Sequence, residues 1–460
     1  MQAPFDIAAD LDTPVSAYLK LAPLRPRFLL ESVEGGERLA RYSFLGFGEA
    51  VEVRMDANGF TVDGETRPRP TSQQEYLDAL RTVLADAPRP QPDDGLPFAG
   101  GLVGVSGYDV VRLFERLPLD TDKQAHIPDA AFVAPSSLLV FDHLTRRVAL
   151  LHDGPEAERK ALRGKVIECL RGAIPLRGDT AKISPAEASL TEEEFSARVE
   201  ACKEYIASGD IYQIVLSVLF RGQSNVAPFE VYRALRLLNP SPYMFFFDFG
   251  ELKVVGSSPE ALVKLHGDTA SLRPIAGTLP RGANEAEDVA NEAALLADPK
   301  EAAEHVMLVD LARNDLGRVA SAGSVHVDPY RAIERYSHVM HIVSGVQGTL
   351  APQHDQFDLF AASFPAGTLV GAPKVRAMQI IEEMEQVGRG LYAGTAGYFG
   401  LSGDMDQAIT IRTLVFSGDE YSFQAGAGIV ADSVPAKEYQ EVLAKSAILR
   451  RALEMAEEGL

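Results

Sequence analysis

Acidic side chains at helical spacing are the first feature of the sequence that could do chemistry. Asp298 followed by proline predicts a helix start, because aspartate caps the first turn and proline is favoured at its first position. Glu301 is the natural capping-box partner of Asp298. Residues 302–312 are apolar almost all round, which predicts a buried helix, so Glu304 on its apolar stripe needs a counter-charge. A metal or catalytic role for Glu304 and a structural salt bridge both stay open.

A second acidic pair lies on the helix that is predicted after Pro435. Glu438 and Glu441 share a stripe with Lys445 on this helix. The plain interpretation is a Glu441–Lys445 helix pair worth only ~0.3–0.5 kcal/mol. The sharper interpretation is that two helices present carboxylates to one hard cation. Mg²⁺ prefers oxygen ligands and keeps several waters, so one or two carboxylates and an anionic substrate would suffice to hold it.

Three further features could bind or move charge. Residues 424–428, Gln-Ala-Gly-Ala-Gly, resemble a turn whose N–H groups form an anion-binding nest, although glycines at a strand end more often serve packing. Arg412 lies in the apolar strand pattern 409–415 and needs a fixed partner, either a substrate carboxylate or a structural aspartate. His341 is either a satisfied core residue or an acid near neutral pH.

Composition and missing motifs exclude several classes of protein. The formal charge of −21 disfavours a nucleic-acid partner or an anionic membrane surface, and no segment is apolar enough for a membrane span. Two cysteines, Cys169 and Cys202, cannot form a disulfide framework or a four-thiolate zinc site, and a reducing cytoplasm fits best. Neither lies in a Gly-x-Cys-x-Gly elbow, so the chain itself is not expected to hydrolyse glutamine. No Walker A or dinucleotide fingerprint is present.

The 460 residues, 46% of them hydrophobic, suffice for a large core and predict an α+β fold. An N-terminal region spans 1–170, residues 171–189 form a linker, and a catalytic region spans 190–460. Thr191 and Glu194 predict a capping box at the start of the catalytic region. Short links between its strands predict antiparallel pairing. The predicted strands are Tyr212–Phe220, Tyr243–Phe249, Thr269–Ile275, Ala393–Phe399, Ala408–Phe416 and Tyr421–Val430.

Several long motifs, in the right order, make the chain resemble the anthranilate synthase component I family of chorismate-utilising enzymes. The resemblance extends from about residue 29 to the C-terminal helix. The motifs that carry it are Pro274–Gly282, Glu304–Asp315, Phe364–Lys374 and Gln424–Asp432.

This resemblance implies large antiparallel β-sheets packed as a sandwich with helices on the outside. It implies a lyase acting on chorismate: ammonia adds at ring C2 as the C4 hydroxyl departs, and loss of pyruvate gives anthranilate, the first step of tryptophan biosynthesis. The implied cofactor is Mg²⁺. The implied partners are a separate glutamine amidotransferase subunit (component II), which supplies the ammonia within a heterotetramer, and L-tryptophan as a feedback inhibitor.

The resemblance also places the family's functional residues on positions of this sequence. The catalytic residues it implies are Glu260, as general acid for hydroxyl loss, with His341 and Thr368 near the reacting ring. The implied metal ligands are Glu304 and Glu441, with Glu301 and Glu438 beside them. The implied chorismate contacts are Gly277, Thr278, Tyr392, Arg412, Gly426, Ala427, Gly428 and Lys445. The implied tryptophan site comprises Ser32, Pro242, Tyr243 and Met244.

Two positions separate this chain from sister enzymes of the resembled family. Aminodeoxychorismate synthases characteristically carry a lysine at the position of Ala276, and alanine offers no amine for attack on the ring. Isochorismate- and salicylate-forming relatives tend to have a water-activating lysine at the position of Gln213. Both differences favour direct attack by ammonia. Aminodeoxychorismate formation, a non-catalytic tryptophan-binding sensor, and a reaction that stops at aminodeoxyisochorismate are the alternatives.

Overall fold

The computed structural model describes residues 5–8, 10–33, 41–92, 95–118, 127–175, 181–336 and 339–460. The α-helices in these ranges are α1 (Pro14–Lys20), α2 (Gln73–Asp86), α3 (Glu156–Arg171), α4 (Glu192–Ala207), α5 (Pro228–Leu238), α6 (Glu285–Ala297), α7 (Pro299–Gly317), α8 (Gln356–Ser363), α9 (Lys374–Met384) and α10 (Pro435–Glu458). Among these described helices, none is both long and apolar enough to cross a membrane.

The strands of the same ranges are short and numerous. They are β1 (Ile7–Ala8), β2 (Pro26–Glu31), β3 (Tyr42–Asp56), β4 (Gly59–Val62), β5 (Glu65–Arg67), β6 (Gly101–Ser106), β7 (Ala130–Asp142), β8 (Arg147–His152), β9 (Glu187–Ala188), β10 (Gln213–Gln223), β11 (Tyr243–Phe249), β12 (Leu252–Ser258), β13 (Ala261–His266), β14 (Thr269–Leu272), β15 (Ile275–Pro280), β16 (His326–Val327), β17 (Ala332–Arg335), β18 (Val339–Val343), β19 (Val346–Thr349), β20 (Gly371–Ala372), β21 (Thr395–Gly400), β22 (Met405–Ile409), β23 (Thr413–Ser417) and β24 (Glu420–Ile429).

Capping side chains start two helices where the sequence predicts them. At α4, Thr191 accepts from the amide of Glu194 (3.3 Å) while the Glu194 carboxylate accepts from the amide of Thr191 (2.8 Å), which confirms the capping box. At α7, Asp298 accepts from the amide of Glu301 (3.2 Å). Glu301 does not reciprocate, because the Asp298 amide already donates to the carbonyl of Ala294 at the end of α6 (3.1 Å).

Within the described ranges, the strands pair antiparallel throughout, as predicted. They form one hydrogen-bonded network of 21 strands and a separate sheet ordered β15–β18–β17. The network has one long path, β16–β19–β14–β13–β22–β21–β6–β7–β3–β2–β11–β12–β23–β24–β10–β20. The remaining strands join it at β7, β3 and β10. The β24–β10 end and the small separate sheet carry most of the predicted site.

Alternation along the strands divides the apolar side chains between two cores. On β11, Phe245 and Phe247 enter a core that also takes in Val103 of β6 and Val254 of β12. The intervening Phe246 enters a second core that includes the buried faces of the helices. Because successive strand residues face opposite sides of the sheet, the first core lies between two parts of the curled sheet, and the second lies between the sheet and the helices. The predicted sandwich with helices outside is confirmed.

Strand pairing crosses the predicted linker. The N-terminal strands β2 and β6 pair with β11 and β21 of the predicted catalytic region. Inside the predicted linker, β9 pairs with β10. The two predicted regions therefore share one hydrogen-bonded sheet, and their boundaries at 170 and 190 stay a prediction.

Four local predictions are wrong. The helix α7 is not buried all round, since Val306 is 43% exposed; apolar atoms still supply more than half of the accessible surface of folded proteins. The strand predicted over 408–416 is broken into β22 and β23, because Arg412 has a left-handed backbone (φ 49°). The stretch 424–428 is not a turn but part of β24, paired with β10. The strand predicted over 269–275 ends at Leu272, two residues before Pro274, which has no amide to donate.

Candidate active site

Glu260 lies at the junction of β12 and β13 and lines a narrow cavity of about 40 Å³. Thr368, in a 3₁₀ turn, donates its hydroxyl to Glu260 Oε1 at 3.1 Å. Leu308 and Leu311 of α7 line the same cavity. Burial raises the pKa of Glu260 to about 7, against the smaller lowering effects of the Thr368 bond and the Lys445 charge. A carboxyl with this pKa can act as a general acid near neutral pH.

The glycine-rich part of β24 packs closely against two predicted contact residues. A Cβ at Gly426 would lie 2.5 Å from the Tyr392 hydroxyl, so only glycine fits there. Lys445 of α10 donates to the carbonyl of Gly426 at 3.2 Å. A Cβ at Gly428 would lie 2.9 Å from the amide nitrogen of Gln213. The packing interpretation of these glycines is therefore the one that the structure supports, rather than an anion nest in a turn.

A β-bulge brings Thr278 and His341 together. The register of β15 against β18 shifts between Ala276 and Thr278, around Gly277, whose φ of 67° favours glycine. His341 Nδ1 lies 3.0 Å from Thr278 Oγ1 and 2.9 Å from the carbonyl oxygen of Gly277. Because a carbonyl only accepts, Nδ1 carries the hydrogen and Nε2 of a neutral ring is left as an acceptor.

Glu301 of α7 lies beside this bulge, and Glu304 is close to Glu301 on the same helix. Glu301 Oε2 is 3.0 Å from the point where a side chain on Gly277 would begin. Burial and then the charge of Glu304 raise the pKa of Glu301. Neither side chain makes a hydrogen bond or an ion pair with any other residue that the structure describes, so the salt bridge that was one interpretation of Glu304 is not formed there. Two neighbouring, partly buried negative charges would be stabilised by a cation.

The predicted helix pair is formed on α10. Lys445 Nζ lies 2.6 Å from Glu441 Oε1, and about half of each side chain is exposed. Glu438 lies one turn earlier and is partly buried. Over the described parts of the chain, no three or more His, Cys, Asp or Glu side chains are close enough together to bind a metal ion by themselves. A cation at these glutamates would therefore need ligands beyond these side chains.

Arg412 lies between β22 and β23 instead of within a strand. Its guanidinium donates to the side-chain oxygen of Asn239 (3.3 Å), and its carbonyl accepts from the amide of Ser257 (3.1 Å). Three residues earlier, the amide of Ile409 donates to the carbonyl of Glu260 (3.0 Å). Backbone hydrogen bonds therefore join the segment that carries Arg412 to Ser257 and to Glu260, at the two ends of the turn between β12 and β13.

These contacts gather the predicted residues into two groups. The acid group consists of Glu260, Thr368, Lys445, Glu441, Gly426 and Tyr392, with Ala427 and Gly428 following along β24. The histidine group consists of Gly277, Thr278, His341, Glu301 and Glu304. The helix α7 connects the two groups, since it carries Glu304 and lines the cavity of Glu260. Together they supply an acid, an acceptor nitrogen, carboxylates and cations around one helix.

The four residues predicted to bind tryptophan line one larger cavity of about 560 Å³; they are Ser32, Pro242, Tyr243 and Met244. Pairing of β2 with β11 brings them together across the predicted linker. Tyr243 donates to Asp406 Oδ1 (3.0 Å), and Lys264 pairs with Asp406 (2.8 Å), so one part of the wall is charged. The volume and the mixed apolar and charged lining suit a small amphipathic ligand.

Sequence reasoning missed the buried ion pair between Glu385 and Arg389, which packs against Tyr392. Both side chains are nearly inaccessible to solvent, and the guanidinium lies 5.5 Å from the centre of the Tyr392 ring. The available signal was a glutamate and an arginine four residues apart. The helix α9 ends at Met384, however, so helical spacing alone could not assign this pair.

Comparison with known proteins decides the family. A family model described as chorismate binding enzyme matches residues 25–451, almost the whole chain. The chain belongs to this family. Anthranilate synthase component 1 of Thermus thermophilus is 46% identical over 98% of this chain and 97% of its own. The protein of the same name from Aquifex aeolicus is 44% identical over 99% of this chain and 94% of its own.

Solved structures support the same assignment. The chain is similar to anthranilate synthase component I from Streptococcus pneumoniae, with a TM-score of 0.79 and 35% identity over 98% of this chain and all of that one. The isochorismate synthase MenF from Escherichia coli shares the fold, with a TM-score of 0.71 and 21% identity over 96% of this chain and 92% of its own. This member of the chorismate-binding family is a chorismate-utilising enzyme.

Proposed function

We propose that the chain is the chorismate-converting subunit of an anthranilate synthase, which turns chorismate and ammonia into anthranilate, pyruvate and water. The observation that carries the proposal is the Glu260–Thr368 contact in the cavity lined by α7. It provides a carboxyl that burial keeps partly protonated at neutral pH. Full-length relatives named anthranilate synthase component 1 support the same reaction.

Glu260 serves as the acid that assists loss of the C4 hydroxyl. It gives its proton to the departing oxygen, which leaves as water, and positioned proton transfer of this kind typically contributes ~10²–10⁴-fold to the rate. Thr368 occupies Oε1 by donating to it, so Oε2 is left to carry the proton. The positive charge of Lys445 stabilises the carboxylate that remains.

Ammonia is the nucleophile at ring C2. Ala276 lies on β15 with no amine to compete, paired with Ile342 of β18. We assign the later removal of the C2 proton to Nε2 of His341, because Nδ1 is held as a donor by Gly277. The bond between C3 and the enolpyruvyl oxygen then breaks, the oxygen keeps the electron pair, and a proton on the vinyl carbon completes pyruvate.

Local positive charge lets a protein of net charge −21 accept a dianion. Arg412 and Lys445 are the cations that we assign to the carboxylates of chorismate. Lys445 keeps its place through the Gly426 carbonyl, and Arg412 through Asn239. Charged hydrogen bonds of this kind are shorter and stronger than neutral ones, which favours capture against the overall field.

Mg²⁺ is the proposed cofactor, and the donor chemistry of four glutamates supports it. They offer only oxygen, and Glu301 and Glu304 are neighbouring charges that form no ion pair with a described cation. Glu304 and Glu441 would hold the ion directly, with Glu301 and Glu438 through water, and substrate oxygens would complete the shell. When bound, Mg²⁺ acts as a Lewis acid on the ring carboxylate. Lys445 would release Glu441 and stay on the Gly426 carbonyl.

A separate glutamine amidotransferase subunit, component II, is the proposed source of ammonia. Neither cysteine is suited to hydrolyse glutamine: Cys202 is fully buried, and burial raises its pKa to about 12. Cys169 lies on α3, and both thiols are free. We propose a heterotetramer of the two subunits in the cytoplasm.

L-tryptophan is the proposed feedback inhibitor, bound in the 560 Å³ cavity. The chain contains no tryptophan, so the indole fluorescence of added ligand can be followed without background from protein indoles. We expect the anisotropy of tryptophan to rise on titration with protein. Met244→Arg, which puts a charge into the apolar lining, should weaken binding at least ~10-fold, a loss of ~1.4 kcal/mol. Equal binding by wild type and Met244→Arg would remove the inhibitor from this cavity.

A fluorescence assay tests the reaction itself. Chorismate, ammonium salt and Mg²⁺ should yield anthranilate fluorescence without any added lyase, and Glu260→Gln should slow it ~10²–10⁴-fold. Glu204→Gln, an exposed residue of α4, is the matched control and should keep full activity. Fluorescence that appears only after a lyase is added would indicate aminodeoxychorismate formation. No loss of chorismate would indicate a binding protein.

A further inference from the structure

The buried ion pair between Glu385 and Arg389 makes more contacts than charge neutralisation requires. Arg389 Nε lies 2.9 Å from Glu385 Oε2, and Nη2 lies 2.8 Å from Oε1, so the two planar groups meet as a fork. Both residues are at most 5% exposed. Burying such a pair is unfavourable unless the remaining donors are also satisfied. The acceptors that satisfy them show what the pair holds in place.

Two backbone carbonyls close to the acid group accept hydrogen bonds from Arg389. Nη1 donates to Leu369, the residue directly after Thr368, at 2.8 Å. Nη2 donates to Val215 at 2.8 Å, and Val215 on β10 is the partner of Gly428 on β24. The same guanidinium therefore connects the turn that holds the Glu260 carboxyl with the strand that supports the glycines.

Contacts of the two charged groups extend this connection. The Arg389 guanidinium lies near the ring of Tyr392, and the amide of Tyr392 donates to the carbonyl of Arg389 at 2.9 Å. Glu385 Oε1 accepts from both the amide (2.9 Å) and the hydroxyl (2.8 Å) of Ser217. Ser217 is the β10 partner of Gly426, against which Tyr392 packs. The Thr368 turn, Tyr392 and the β10 partners of Gly426 and Gly428 are thus each in direct contact with the ion pair.

We propose that Arg389, oriented by Glu385, is a positioning residue that sets the Thr368 turn, Tyr392 and the glycine strand β24 in register for chorismate. The inference rests on the proposed function, since it names a further residue of the same site. Arginine is required because its planar group donates in several fixed directions at once. Lysine keeps the charge but presents all its donors from one nitrogen, so it cannot hold Leu369, Val215 and the carboxylate together.

The pKa of Glu260 provides a readout that a loss of stability alone would not change. The Thr368 bond lowers the pKa of Glu260, so a displaced turn should let that pKa rise. The other charges near the carboxyl are Lys445 of α10, and Arg273 and Asp315, which line the same cavity. None of these three is bonded to Arg389 among the described contacts, so a substitution there leaves them in place.

Arg389→Lys is the direct test, with Arg159→Lys as its matched control. Arg159 is equally buried, at 3% exposed, and forms the same fork with Glu156 (2.7 and 3.0 Å) on α3. We expect Arg389→Lys to lower kcat ~10–100-fold with a smaller change in KM, because misplaced groups act mainly on the chemical step. The basic limb of its kcat/KM profile should move to higher pH. Arg159→Lys should change neither.

A double-variant cycle shows whether the effect passes through Thr368. Thr368→Val removes the bond to Glu260, and should by itself move the basic limb to higher pH. Adding Arg389→Lys to Thr368→Val should move it no further, because neighbouring residues in one network are not additive. If Arg389→Lys does not fold, Ser217→Ala, which removes one of the two hydrogen bonds that Ser217 donates to Glu385, replaces it in the cycle.

Additive shifts, an unmoved pH profile, or equal losses of kcat in Arg389→Lys and Arg159→Lys would each overturn the positioning role. Failure of the proposed function looks different. In that case the wild-type protein itself would not convert chorismate with ammonium and Mg²⁺, and the variants would have no turnover to compare.

Discussion

Two carboxylate–cation pairs with the same spacing of four residues occupy opposite environments in this protein. Glu385 and Arg389 are buried, whereas Glu441 and Lys445 leave about half of each side chain exposed. The buried pair bonds two other chain segments, β10 and the turn after Thr368, and both of its carboxylate oxygens accept hydrogen bonds from the protein. Among the described residues, the exposed pair bonds only one further group, the Gly426 carbonyl, through its lysine. Sequence spacing alone therefore does not distinguish structural from functional carboxylates, whereas the hydrogen-bond partners around each pair do.

Glu260 adds a third case with the same sequence spacing. Lys264 follows it by four residues, but Glu260 lies just before β13 and Lys264 lies within it, where extended backbone separates residues four apart by about 13 Å. Lys264 pairs instead with Asp406 at 2.8 Å, and burial rather than a partner controls the pKa of Glu260. The comparison predicts that the three carboxyls respond to the same Glu→Gln change in three different ways.

Glu385→Gln should have the largest effect and should act on stability. Leaving Arg389 buried without a full counter-charge typically costs ~3–5 kcal/mol. The measurement is urea unfolding at pH 7, with Glu156→Gln as control, because Glu156 is 55% exposed and its pair with Arg159 is partly screened. Equal losses of free energy of unfolding in both variants would show that the buried and the exposed pair do not differ in their contribution to stability.

Glu260→Gln should change the pH dependence of stability. The pKa of Glu260 is raised from 4.5 to about 7, so the folded protein keeps a proton that the unfolded chain has released. The contribution of Glu260 to stability must then fall as the pH rises from 4.5 to about 7, by an amount on the order of 2–3 kcal/mol. Relative to wild type, Glu260→Gln should lack this decline. Parallel unfolding curves for both proteins across that window would contradict the assigned pKa.

Glu441→Gln should act on turnover and leave stability nearly unchanged. A lost metal ligand should cost at least ~100-fold in kcat/KM, equivalent to ~2.7 kcal/mol of barrier. The exposed pair contributes under ~1 kcal/mol to folding. Titration of activity with Mg²⁺ measures the first quantity, with Glu454→Gln on the same helix as control. A large loss of stability with normal magnesium dependence would assign Glu441 to structure instead.

Lys445→Met should give the smallest stability effect. Its ion pair with Glu441 is half exposed, so its removal should change the free energy of unfolding by less than ~0.5 kcal/mol. That difference should shrink further at high salt, because exposed charges are screened. A loss above ~1 kcal/mol in thermal or urea unfolding would show that Lys445 holds the fold.

Most of the fold could be predicted from local patterns. The capping box at Thr191 and the helix start at Asp298 need only neighbouring residues, and both are formed. The strand Tyr243–Phe249 was predicted with its observed bounds. Arg412 could not be placed, because its left-handed backbone depends on contacts with Ser257 and other segments distant in sequence.

The site was predicted mainly through resemblance to a family. The pairing of Glu260 with Thr368 joins residues 108 positions apart, and no spacing rule connects them. The role of Arg389 stayed hidden because its acceptors, Leu369 and Val215, are backbone carbonyls that carry no signature in the sequence. Local sequence patterns identify candidate side chains, whereas the partners of those side chains can be assigned only from the folded structure.

Mass analysis of the products that the protein forms from chorismate and isotopically labelled ammonium, with and without Mg²⁺, tests the proposed reaction most directly. We predict labelled anthranilate and an equal amount of pyruvate, and neither product after the metal is removed. Labelled product that still carries the enolpyruvyl group, or unlabelled hydroxylated product, would contradict the account.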